Sequence, residues 1–88
     1  MVNMETIKWE LEPEFDGRKS FYKKAHVIER EGGRVELQSY DTIVATIEDG
    51  KAKVHGFYSP TTLRHIKEFL YQFGFKVGSK AELEKMYT

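Results

Sequence analysis

Residues 20–58 read SFYKKAHVIEREGGRVELQSYDTIVATIEDGKAKVHGFY, and the periodicity of this stretch decides the fold. Phe21, Ala25 and Val27 alternate with Tyr22, Lys24, His26 and Ile28. Successive side chains of a strand point to opposite faces, so this alternation predicts a strand with one face buried. Glu31-Gly32-Gly33 supplies a turn, because paired glycines accept positive φ without a steric penalty. Over residues 34–40, Val35 and Leu37 alternate with Glu36 and Gln38. Asp41 can break the ladder through a side-chain turn. The next strand, residues 42–48, then places Ile43, Ala45 and Ile47 inward and Val44 outward. Asp49-Gly50 is a strong hairpin signal, and residues 51–57 close the meander with Ala52, Val54 and Gly56 inward.

On the C-terminal side, Ser59-Pro60 predicts a helix start, with serine accepting a backbone N–H and proline at a position that loses no bond. Leu63, Ile66, Phe69, Leu70 and Phe73 fall on one arc of about 120°, a stripe suited to lying across a sheet. Gly74 ends that helix. Ser79-Lys80-Ala81-Glu82 matches a capping box, so a short second helix to Tyr87 follows. On the N-terminal side, Ile7, Trp9 and Leu11 alternate with Lys8, Glu10 and Glu12, the pattern of a strand that Pro13 would end. Residues 1–16 are therefore read as a further strand or an extension, with Asp16-Gly17 able to turn the chain back. The expected fold is α+β: a four- or five-stranded antiparallel meander, one amphipathic helix on one face and a short C-terminal helix, all in one domain spanning residues 1–88.

Composition narrows the function. The 88 residues carry 14 basic and 14 acidic side chains, for a net charge of zero, which disfavours a generic nucleic-acid coat or a polybasic membrane anchor. Cysteine is absent, which excludes disulfides, thiolate catalysis and zinc–thiolate sites. No apolar run approaches the roughly 20 residues of a membrane span, and no secretory pattern opens the chain, so a cytoplasmic domain is expected. Charge alternates in blocks, acidic over 1–16 and 31–50 and basic over 17–30 and 51–76, as suits cross-strand ion pairs in a meander.

Several segments also carry a resemblance. The stretches SFYKKA (20–25), LQSYDT (37–42), YSPTTLRHIKEFL (58–70) and Gln72-Phe73-Gly74-Phe75 resemble a family of small uncharacterised proteins from phages and mobile elements of Gram-positive bacteria. The likeness runs from about residue 18 to the C-terminus, and the Thr-Thr-x-Arg-His-Ile-x-Glu-Phe-Leu helix is its most specific part. Family members often have Gly at the position of Lys23 and Trp near Phe57. The resemblance implies a setting and a fold, with no activity to transfer. Small phage proteins often bind a host protein, and by that analogy one is expected here.

Three candidate sites emerge. Ser20, Ser39, Ser59 and Ser79 sit at strand ends or caps, where local hydrogen bonds account for them, and no glycine-rich phosphate loop is present. His65 and Glu68, one turn apart, could share a metal or a proton, but two ligands do not make a site. Neither catalysis, a cofactor nor a metal is expected. The second candidate is the outer sheet face, where Tyr22, Lys24, His26, Tyr40, Lys53, His55 and Phe57 would gather. Aromatics among lysines on a sheet suit single-stranded nucleic acid. Against this stand Glu36 and Glu48 on the same face and the absence of an RNP-like motif. A protein partner, the N-terminal segment or a second subunit could cover the face instead, making the chain a monomer or a homodimer. The third candidate is the outward side of the main helix, where Arg64, Lys67 and Tyr71 lie within about 60° of one another. An exposed tyrosine beside arginine is the composition of an interface hot spot. The favoured expectation is a small non-enzymatic binding protein, phage or plasmid encoded, acting on a host or element protein through that strip. The alternative is a single-stranded nucleic-acid-binding module using the sheet face.

Overall fold

The computed structural model describes residues 7–12, 24–56 and 59–88. Five strands, β1 (Ile7–Glu10), β2 (Ala25–Glu29), β3 (Val35–Ser39), β4 (Thr42–Glu48) and β5 (Lys51–Val54), precede α1 (Pro60–Gln72) and α2 (Lys80–Tyr87). The strands form one antiparallel sheet in chain order, β1-β2-β3-β4-β5, so each pairs with its sequence neighbour. The expected α+β meander is present, with the fifth strand supplied by the Ile7-Trp9-Leu11 alternation. The proposed turn at Asp16-Gly17 and the strand positions Phe21 and Tyr22 lie outside the described residues.

The turns follow from their residues. Asp49 and Gly50 both take positive φ, 56° and 75°, as a two-residue hairpin of that hand requires. Register then aligns Trp9, Val27, Leu37, Ala45 and Val54 across the sheet on one face. That face is the inner one: Val27, Leu37, Ala45 and Val54 are buried in the core with Leu11, Ile66, Phe69, Leu70 and Leu83.

One strand departs from strict alternation. Leu37 pairs with Ala45, whereas Gln38 pairs with Ile43, so β4 carries an extra residue, Val44, at a β-bulge. The bulge reverses the expected facing. Val44 is buried in the core, while Ile43, expected inward, shares the outer face with Gln38 and is half-buried. Because Ile43-Val44-Ala45 is continuously apolar, either phase of alternation satisfies the sequence, and the pairing decides between them.

α1 begins as expected: the Ser59 Oγ accepts a hydrogen bond from the Thr62 N–H at 3.1 Å, with Pro60 in the first turn. It ends in a Schellman motif, in which Gly74 N–H reaches the Tyr71 carbonyl (3.1 Å) and Phe75 N–H the Leu70 carbonyl (2.8 Å). Gly74 sits at φ 84°, a conformation that glycine adopts without strain. Ile66, Phe69 and Leu70 are fully buried against the sheet, and Leu63 and Phe73 pack at the margin. Burying such side chains contributes about 1.5–3 kcal/mol each. α2 carries the expected reciprocal cap between Ser79 and Glu82 and buries only Leu83.

Candidate functional site

α1 is buried over far more of its circumference than its apolar stripe explains. Thr62, His65 and Glu68 are also buried, the last two completely. On the sheet side, Ser39 follows Leu37 inward at the end of β3, and its Oγ lies 3.0 Å from Thr62 Oγ1 and 2.9 Å from His65 Nδ1. Two turns further along the same side, at the last residue of α1, the Gln72 amide donates to the Glu68 carboxylate and to the Glu12 carbonyl, both at 2.6 Å. The chain leaving β1 is thus tied to the helix, and Leu11 beside it is fully buried. Trp9 strengthens the tie: its indole N–H donates to Glu29 and its ring stacks on Phe73 at 6.3 Å.

His65 and Glu68 are therefore interior residues rather than a surface pair. Burial, with lesser contributions from the positive charges of Arg64 and Lys24, pushes His65 down to about 4, so the imidazole is neutral near pH 7. A neutral imidazole beside a serine hydroxyl has the composition of a nucleophile and its base. Here Ser39 is sealed from solvent and shared between Thr62 and His65, an arrangement that joins β3 to α1 and leaves a substrate no approach. Among the described residues no group of three or more His, Cys, Asp or Glu is arranged to hold a metal ion. No helix of the described residues is long and apolar enough to cross a membrane.

The outer sheet face differs from expectation at Tyr40. Tyr22 and Phe57 lie outside the described residues. Tyr40 is not on that face: it sits in the β3–β4 turn at φ 57°, and its ring stands 5.9 Å from the buried His65 ring, on the α1 side. The turn reorients the side chain, which strand alternation cannot anticipate. His26, Lys53 and His55 remain on the outer face, with His55 Nε2 3.2 Å from Thr46 Oγ1, whereas the charge of Lys24 acts on the buried His65. The centre of the face is ionic. Glu36, nearly buried, accepts from Arg30 Nε and Arg34 Nε, both at 2.8 Å, and Arg34 also reaches Glu48 at 3.2 Å. Burial works to raise the Glu36 carboxyl, but the two arginine hydrogen bonds and charges outweigh it and hold the group below its ordinary value. Sequence reading missed this cluster, although the opposed charge blocks were its signal.

Arg64 and Lys67 are half-buried and Tyr71 is 48 % exposed. With the apolar stripe on the sheet and the His65–Glu68–Gln72 side held toward Ser39 and Glu12, these three residues form the face that α1 turns outward.

The fold and its surfaces define a small α+β domain whose candidate site is a helix face on an open antiparallel meander. The chain belongs to DUF8033, a family of unknown function whose model matches residues 9–85. No curated protein and no solved structure matches it.

Proposed function

We propose that this protein is a non-enzymatic binding module that recognises another protein through the Arg64–Lys67–Tyr71 face of α1. The observation that carries the reading is the anchoring of α1 at two points along one side, by Ser39–His65 in its first half and by Glu12–Gln72 at its last residue. A helix fixed in this way presents its remaining face in one orientation, so a partner pays little ordering entropy at that surface. Tyr71 offers planar area with few rotamers, and Arg64 adds a charged donor beside it. The resemblance to small proteins of phages and mobile elements directs the proposal to a host or element protein. The aromatic platform that favoured nucleic acid loses Tyr40, and a doubly paired glutamate occupies the middle of that face.

Affinity capture from a bacterial lysate, with and without nuclease, tests the reading when run beside the Tyr71→Ala variant. The expected result is a protein retained through nuclease treatment by the wild type and lost by the variant. Loss of all retained material after nuclease would transfer the assignment to nucleic acid.

A further inference from the structure

A second surface lies at the corner where β5, the edge of the sheet, meets the end of α2. Two depressions flank Met86, which is 42 % exposed. One, of about 350 Å³, is bordered by Glu48, Lys51, Ala52, Lys53, Met86 and Tyr87 among others. The other, of about 210 Å³, is bordered by Lys76, Glu82, Lys85 and Met86. No residue of α1 lines either, so this corner is distinct from the Arg64–Lys67–Tyr71 face.

The charges around Met86 are unequal in their commitments. Glu48 is bound to Arg34 at 3.2 Å, and the Glu82 carboxylate is held by the Ser79 N–H at 2.8 Å as part of the α2 cap. Lys51, Lys53, Lys76 and Lys85 are exposed and enter none of the ion pairs of the described residues. A chain of zero net charge thus carries a locally basic corner with an apolar side chain at its centre.

We propose that the β5–α2 corner docks an acidic, extended segment of a partner protein, which runs along the edge of β5 and seats an aliphatic side chain against Met86. Three features select this occupant. An edge strand leaves a row of N–H and C=O groups that another peptide backbone can pair with and a nucleotide cannot. Lysines on that edge repel a second copy of the same strand and attract an acidic one, since cross-strand pairs reward opposite charge. Met86 is a flexible, polarisable contact that adapts to varied aliphatic side chains.

The test is a titration of the full-length, isotope-labelled protein with a short peptide alternating Glu and Leu, followed by NMR. Shifts should concentrate at residues 51–53 and 85–88. The Lys51→Glu, Lys53→Glu double variant should weaken binding about tenfold or more. Met86→Ser should weaken it with every charge left in place. The proposal is overturned by an absence of shifts at millimolar peptide, by shifts confined to α1, or by equal binding of a Lys–Leu peptide. Equal binding of an oligothymidylate at the same corner would also overturn it, since that result reduces the corner to general attraction for polyanions.

Discussion

The two helices are held to the same sheet by different means. α1, with 13 residues, buries Thr62, His65, Ile66, Glu68, Phe69 and Leu70, whereas α2, with 8, buries Leu83 alone. α1 is fixed by packing and by hydrogen bonds at two points along one side. α2 is shorter than an isolated helix needs to persist and depends on its cap, on Leu83 and on Tyr87, whose hydroxyl donates to the Lys76 carbonyl at 2.8 Å and whose ring meets Phe75 edge-on. The contrast separates two kinds of surface: a rigid face on α1 and an adaptable corner on α2. It also ranks the consequences of mutation.

The largest effect belongs to the α1 core. Leu70→Ala removes a fully buried side chain between helix and sheet and should cost about 2–5 kcal/mol, read as a shift of the denaturant midpoint. An unmoved midpoint would show that α1 is not packed as described, and the contrast between the helices would collapse.

Acid probes the polar flank of the same helix. His65 is held neutral in the fold at about 4 against about 6.5 when unfolded. The unfolded chain therefore binds the proton first as pH falls. The associated stability is fully present above about pH 6.5 and is lost as pH drops toward 4, a loss of up to roughly 3 kcal/mol. Unfolding midpoints measured through this window should fall in the wild type and fall less steeply in His65→Gln. Equal slopes would mean that the imidazole is not sealed beneath α1. Glu36, whose carboxyl is lowered, contributes stability above the ordinary carboxylate range that is lost only at more acidic pH.

Smaller effects are expected at α2. Ser79→Ala deletes one half of the capping box and should cost about 1 kcal/mol. Gly78→Ala tests the other half, because a Cβ at Gly78 would meet the Glu82 carboxylate where it folds back onto the cap. The side chain can swing away, so the cost is the lost cap hydrogen bond rather than a clash. Amide exchange in α2 should quicken in both variants while α1 protection persists. Concerted loosening of both helices would contradict their separate modes of attachment.

Much of this architecture was legible in the sequence for physical reasons. The Asp49-Gly50 hairpin, the Ser59 and Ser79 caps and the Ile66-Phe69-Leu70 stripe are local signals, each set by a few neighbouring residues. The outward strip of α1 was legible as the complement of that stripe. What escaped depended on distant pairing. The phase of Ile43-Val44-Ala45 is set by where the pairing with β3 places the bulge in β4. The tie of Gln72, and through it Glu68, to the Glu12 carbonyl depends on the chain beyond β1, some 60 positions away in sequence. Tyr40 followed its turn, not its strand.

The smallest expected effect on stability accompanies the largest expected effect on function. Tyr71→Ala and Arg64→Ala should each change stability by only about 0.5 kcal/mol, as outward-facing substitutions do. The most direct measurement is the affinity of the Arg64→Ala, Tyr71→Ala double variant for the protein captured by the wild type, taken with its unfolding midpoint. The account predicts a midpoint close to wild type and binding weakened by about 2 kcal/mol or more, some thirtyfold. A folded variant that binds unchanged would contradict it, and the α1 face would cease to be the recognition surface.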